Sequence, residues 1–230
     1  MMGHAKENAV LTVYHLANSR SDRLIWLLEE LGFNHCDGND PADGRTYQVK
    51  TFDRDPETQR APAELKALHP MAKAPMLGDD ASGEERLMIE SGALFEYVLG
   101  RYGDGGLVPA VADADWPEYL QWLHFAEGSA MLPLLLDHFQ AAGLCGPPGE
   151  MPIAAMARSE LDRLYNYLEQ VLSERSWIAG ERFTAADIMM GWFVEMVEQR
   201  GELGSYKALS NYVEKIRARP AHQRAGRHGG

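Results

Sequence analysis

Cysteine is nearly absent. Cys36 and Cys145 are the only two in 230 residues, widely separated and without a partner at C-x-x-C or metal-ligand spacing. This pattern argues against a disulfide framework, a thiol-disulfide motif or a sequence-evident zinc site, and it fits a reducing compartment. Both thiols are expected to be buried. Basic residues are also in short supply, 22 Lys and Arg against 34 Asp and Glu, for a formal net charge of −12. A polyanion would be repelled on average, which argues against nucleic acid as a partner. Long apolar runs are missing as well. Met131–Leu136 is far too short to span a bilayer, and the N-terminus carries no apolar segment of the signal-peptide type. The expectation is a cytoplasmic protein with no membrane partner. No internal repeat or low-complexity segment occurs.

The composition itself is ordinary for a globular chain, 45% apolar and 24% charged, and the length suits one large or two modest domains. Leu11–Leu16 reads as a strand. Leu24, Leu27, Leu28 and Leu31 follow at helical spacing, with Gly32 placed to end the helix. After a polar Gly/Asp-rich loop, Tyr47–Phe52 reads as a second strand and Ala63–Leu68 as a short helix closed by His69-Pro70. Ala74–Leu77 and Leu87–Ile89 form two short strands around a turn, and Leu94, Phe95, Val98, Leu99 and Tyr102 make one face of a helix starting at Ser91. The order βαβ-α-ββα requires a mixed sheet. From Trp116 onward no strand signal remains, and helices are expected at Trp116–Ala142 with a kink at Pro133, then Ile153–Leu172, Ala185–Glu198 and Leu209–Ala218. The expected organisation is an α/β domain over 10–102, a linker over 103–115 and an all-α domain over 116–226.

Two short segments carry chemistry. In Met71-Ala72-Lys73-Ala74-Pro75-Met76-Leu77, the proline leaves the backbone of Ala74 able to pair with an extended ligand as a strand would. Glu90-Ser91, at a helix start, can hold opposite ends of an amino acid: the carboxylate attracts an ammonium, and the hydroxyl with the free amides takes a carboxylate. Each also has a plainer role, Pro75 as a turn proline and Ser91 as a helix N-cap.

With Leu11–Gly32, Thr184-Ala-Ala-Asp187 and Leu209–Pro220, these segments closely resemble the glutathione S-transferase family over nearly the whole chain from about residue 10. Tyr47–Pro56 and Ala61–Pro70 are similar to a serine-type bacterial and fungal branch. The resemblance implies a thioredoxin-like first domain and a homodimer. It also implies glutathione as substrate without a metal, and a cleft between the domains where a small hydrophobic electrophile meets the bound thiolate in detoxification chemistry. A free thiol is mostly protonated at neutral pH, so the enzyme must stabilise thiolate. In serine-type members the hydroxyl lies four residues before an arginine of the first helix, and Arg23 puts that position at Ser19. Asn18, Ser21 and Tyr14 stay open as alternatives, and any of Asn18, Ser19 and Ser21 can instead cap the helix. The implied glutathione contacts are Ser19, Lys73, Ala74, Pro75, Glu90 and Ser91, with Pro75 cis. Arg54 and Lys50 are further cationic candidates. Thr184 and Asp187 read as a capping box with a folding role. Tyr14, Tyr119, Trp122 and Leu123, with Phe125 and Met131 nearby, are candidates for the electrophile pocket, against the plainer reading of aromatic and methionine residues at helical spacing as core.

Other readings share the scaffold: a glutathione-dependent peroxidase, dehalogenase or disulfide reductase, or a non-catalytic protein-interaction module. The intact Glu90-Ser91 and Ala74-Pro75 segments argue against the module.

Overall fold

A computed structural model describes residues 10–36, 44–58, 60–81, 83–144, 146–147 and 151–228. Cys145 lies outside them. The sheet is built on β1 (Val10–Leu16), a strand buried along almost its whole length, which is why its sequence is nearly continuous in apolar residues. β1 pairs in parallel with β3 (Thr46–Phe52) and antiparallel with β4 (Met76–Asp79), which forms a hairpin with β5 (Arg86–Ile89). The two-residue β2 (Asn34–His35) completes the order β2-β3-β1-β4-β5 at the far edge. This is the expected mixed sheet. The short fourth strand begins at Met76 rather than Ala74, immediately after the cis Ala74–Pro75 peptide.

Alternation sends successive β1 side chains to opposite faces. Tyr14 and Leu16 pack with Met76 and with Leu65 of α2 (Ala63–Leu68), whereas His15 faces α1 (Asp22–Glu30). Leu24, Ile25, Leu27 and Leu28 of α1 are fully buried, each contributing about 1.5–3 kcal/mol by burial. Gly32, with φ of +74°, takes the left-handed turn that ends this helix at little steric cost. α3 (Ser91–Tyr102) is anchored at its far end: Tyr97 and Tyr102 each donate a hydroxyl to Asp79 at 2.6 Å. Burial works to raise the Asp79 carboxyl, but the hydrogen bonds from Tyr102 and Tyr97 outweigh it and hold it below its usual range. Anchoring at Asp79 leaves the start of α3 at the opposite end of the sheet, beside the beginning of β4.

The described residues divide into two compact units, one comprising those up to Leu107 together with those from Arg217 onward, the other Val108–Ile216. The first therefore includes α9 (Pro220–Ala225), whereas the sequence pattern groups it with the helical stretch 116–226. Charge pairing explains the difference. Arg219 grips Glu30 of α1 through two nitrogens at 2.6 and 2.8 Å, Arg224 reaches Glu29 at 2.5 Å, and His222 meets Trp26 edge-on at 4.7 Å.

The second unit holds α4 (Trp116–Phe125), α5 (Met131–Ala141), α6 (Pro152–Glu174), α7 (Ala185–Gln199) and all but the last residue of α8 (Lys207–Arg217). The expected single helix Trp116–Ala142 is interrupted by a π-helical turn at Ala126–Ala130, one turn before Pro133. Proline cannot donate to the carbonyl four residues back and its ring crowds that carbonyl, so the ladder is re-spaced upstream of it. At the start of α7, the Asp187 carboxylate accepts from Thr184 N at 2.8 Å, Ile178 N at 2.8 Å and the Tyr212 hydroxyl at 2.9 Å. Burial raises this carboxyl to about 6 despite those donors.

Candidate functional site

Strand register brings the chemical segments together. Tyr14 pairs with Met76 and Met76 with Ile89, so the end of β1, the start of β4 and the end of β5 lie side by side. The turn Ala17–Ser21, the segment Lys73–Pro75 and the junction Glu90–Ser91 therefore leave one end of three adjacent strands. Two inter-strand spacings come to about 10 Å, the reach of an extended three-residue peptide. The same end also contains Asn18, Ala72 and Glu90, the non-glycine residues with positive φ among those described, at 53°, 47° and 77°. Each such residue costs about 1–3 kcal/mol, and strain concentrated where three segments meet is a mark of a functional site.

Glu90, exposed, occupies the N-cap position of α3, and Ser91, buried, is its first helical residue. Ser91 is therefore not the cap, and the helix start has no side-chain cap bond. Its first-turn amides and the helix dipole favour an anion there. Ala74 lies just outside the β4 ladder and Pro75 is buried beside it, while Lys73 is exposed. Arg54, just beyond β3, donates to the Asn18 carbonyl at 3.1 Å, which ties it to the turn carrying Ser19.

Ser19 is nearly buried, and its Oγ lies 2.7 Å from Ser21 Oγ. Ser21 sits at the N-cap position of α1 but forms no cap bond; its Oγ turns back to β1, 2.8 Å from His15 Nδ1. Asp22 Oδ1 lies 3.6 Å from the same nitrogen, and His15 is wholly buried. Sequence reasoning missed His15. A histidine alternating with Tyr14 and Leu16 on a core strand was the available signal, since a buried imidazole needs partners.

Tyr14, expected as an alternative thiol activator or a pocket residue, has both its ring and its hydroxyl engaged within the first unit. Its ring is core, and its hydroxyl donates to Glu85 Oε1 at 2.9 Å. Burial, with the hydrogen bond and charge of Glu85, pushes the phenol up to about 12. Its hydroxyl proton is thus already engaged in a hydrogen bond to a carboxylate, and its ring is buried. Lys50 covers that ring, its Nζ 5.3 Å from the centroid. Gly78 provides the room for Glu85 to lie across β4, because a Cβ there would collide with the Glu85 carboxylate.

Tyr119, Trp122 and Leu123 are sealed from solvent at 2%, 0% and 1% exposure, as is Met131. Trp122 packs against Tyr167 at 5.3 Å and Phe125 at 5.0 Å between ring centroids. Within the second unit they are buried core residues. A groove of about 540 Å³ in that unit is lined by Glu169, Ser173, Lys207, Asn211 and Lys215, none of them an expected site residue. Cys36 is only partly buried, contrary to expectation, and its Sγ approaches the Tyr47 carbonyl at 3.4 Å. It follows β2 at the opposite end of the sheet from Ser19, since Tyr47 pairs with Leu11. No group of three or more potential metal ligands occurs among the described residues, and none of the described helices is long and apolar enough to cross a membrane.

Residues 129–220 match the family described as glutathione S-transferase, C-terminal domain. The chain is 27% identical over 225 residues to glutathione S-transferase 1 of Saccharomyces cerevisiae, covering 90% of each. It is 32% identical over 165 residues to the disulfide-bond oxidoreductase YfcG of Escherichia coli, covering 69% of this chain and 73% of that protein. A solved glutathione S-transferase structure from Actinobacillus pleuropneumoniae superposes with a TM-score of 0.74 at 27% identity, over 96% of this chain and 93% of that one.

Proposed function

The chain belongs to the glutathione S-transferase family, and on that premise we propose that it binds glutathione, stabilises its thiolate and conjugates it to a hydrophobic electrophile. The observation that carries this reading is the convergence of Ser19, Ala74 and Glu90-Ser91 at one end of three neighbouring strands, across the length of one extended tripeptide. In this assignment the γ-glutamyl ammonium faces Glu90, and its carboxylate takes Ser91 and the α3 amides. The cysteinyl backbone pairs with Ala74, and the sulfur accepts the Ser19 hydroxyl near the positive end of α1. Lys73 serves the glycyl carboxylate. The protein is read as a cytoplasmic homodimer with a role in detoxification.

The test separates binding from activation. Ser91→Ala weakens glutathione by about 1–3 kcal/mol in calorimetry through loss of a charge-assisted hydrogen bond. Ser19→Ala leaves affinity closer to wild type but raises the bound thiol pKa by about one to two units, each unit corresponding to about 1.36 kcal/mol. A wild type without measurable affinity for glutathione refutes the reading. A second reading, glutathione-dependent disulfide reduction, is favoured by the similarity to the Escherichia coli oxidoreductase. Cys36 lies at the opposite end of the sheet from Ser19, so the attacking sulfur would be that of glutathione itself. Parallel assays with an aryl halide and a mixed disulfide decide between them.

A further inference from the structure

We propose that His15, through Ser21, is a positioning residue that fixes the direction in which the Ser19 hydroxyl donates. The inference rests on the reading of Ser19 as the thiolate donor. Ser21 Oγ has one proton and two acceptor sites. Leu16 N–H fills one acceptor site at 3.3 Å, and His15 Nδ1 and Ser19 Oγ stand at 2.8 and 2.7 Å.

With a proton on Nδ1, the imidazole fills the second acceptor site of Ser21. The Ser21 proton then goes to Ser19 Oγ at 2.7 Å in preference to the Leu16 carbonyl at 3.4 Å. Ser19 Oγ also lies 3.3 Å from Ser21 N–H, so both of its acceptor sites are taken and its own proton points outward. Without that proton the chain reverses. Ser21 donates to Nδ1, Ser19 donates to Ser21, and Ser19 turns a lone pair toward the position of the sulfur, where it would repel a thiolate. Asp22 Oδ1, 3.6 Å from Nδ1, favours the protonated nitrogen and hence the outward direction. The hydroxyls keep their protons throughout, and no bond to the substrate is formed or broken by His15.

The test is an ultraviolet titration of thiolate absorbance in the glutathione complex, with the affinity for S-methylglutathione measured alongside as a reporter of site integrity. His15→Leu raises the bound thiol pKa by about one unit, which corresponds to roughly tenfold less thiolate at pH values below it, whereas Ser21→Ala, which also removes the acceptor toward which the Ser19 proton would turn inward, raises it less. S-methylglutathione binds both within about twofold of wild type. His15→Asn, whose amide can still donate to Ser21, keeps most of the wild-type value. Adding Ser21→Ala to Ser19→Ala causes no further shift, because the two act in series. If wild type forms no thiolate, or Ser19→Ala does not move the titration, the underlying reading of Ser19 falls and this inference falls with it. If Ser19→Ala moves the titration while His15→Leu does not, the role of His15 alone is overturned. Should His15→Leu fail to fold, His15→Phe, which keeps a ring but has no group to donate to Ser21, is measured in its place and decides the question in the same way.

Discussion

Glu90 predicts an opposition between stability and binding. Its φ of 77° and ψ of 113° place an L-residue where a Cβ is poorly tolerated, at a strain of about 1–3 kcal/mol. Glycine adopts that backbone freely but gives the unfolded chain more freedom, which costs about 0.5–1 kcal/mol. Glu90→Gly should therefore be more stable by about 0.5–2 kcal/mol. For a chain of this size, each kcal/mol raises the midpoint of thermal unfolding by about 2–4 °C. The same substitution removes the carboxylate proposed to meet the γ-glutamyl ammonium. Because Glu90 is exposed, that contact is discounted for solvent to about 1 kcal/mol, roughly a fivefold loss of affinity. Glu90→Ala is the control: it removes the same carboxylate but keeps a Cβ, so it should lose affinity without gaining stability. Calorimetric unfolding and glutathione titration of the three proteins make the comparison. A lower midpoint for Glu90→Gly would refute the strain argument. A higher midpoint with unchanged affinity would show that the carboxylate does not face the ligand.

Two further outcomes follow from groups outside the proposed contacts. Asp187 titrates near 6 when folded against an ordinary 3.8, so between these values the folded state binds more protons than the unfolded one and the contribution of Asp187 to stability falls as pH rises. Denaturant titrations should show a wild-type stability that declines relative to Asp187→Asn by on the order of 2 kcal/mol from pH of about 4 to about 6, and a flat or rising difference would contradict the assignment. Gly78→Ala should displace the flexible Glu85 side chain with a stability loss of about 1 kcal/mol and release the Tyr14 hydroxyl; phenolate absorbance should then show Tyr14 ionising below about 12, whereas an unmoved titration would mean that Glu85 does not hold it.

The parts of the fold legible in the sequence are those governed by periodicity. The apolar run of β1, the leucine stripe of α1 and the face of α3 each bury a continuous surface, and that leaves a pattern. β2 left none, because Asn34 and His35 are placed by their pairing with Thr46 and Tyr47 and not by any preference of their own. α9 was hidden for a related reason: six residues docked by Arg219 and Arg224 onto Glu29 and Glu30 carry their signal in contacts nearly two hundred positions away. At the site, the segments Ala74-Pro75 and Glu90-Ser91 could be read, since proline and a helix start are local features. The roles of the three hydroxyls could not. Whether Ser21 caps its helix or turns toward His15, and whether the Tyr14 hydroxyl is available or given to Glu85, depends on which side chain stands across a strand. The burial of Tyr119, Trp122 and Leu123 could be read on the same ground but their partners could not, because helical spacing identifies a buried face without saying what buries it.

The docking of α9 onto α1 has a consequence for biosynthesis. A ribosome releases this chain from its N-terminal end, and the sheet with α1 to α3 can begin to collapse long before Pro220–Ala225 exist. Until then the nearly buried carboxylate of Glu29 lacks its arginine, and Trp26 lacks the imidazole that meets it. The nascent first unit is thus an unfinished body that must wait for the entire helical unit to be synthesised. A protein truncated before Arg219 should resemble that arrested intermediate, with the Trp26, Glu29 and Glu30 side of α1 left accessible to chaperones and proteases.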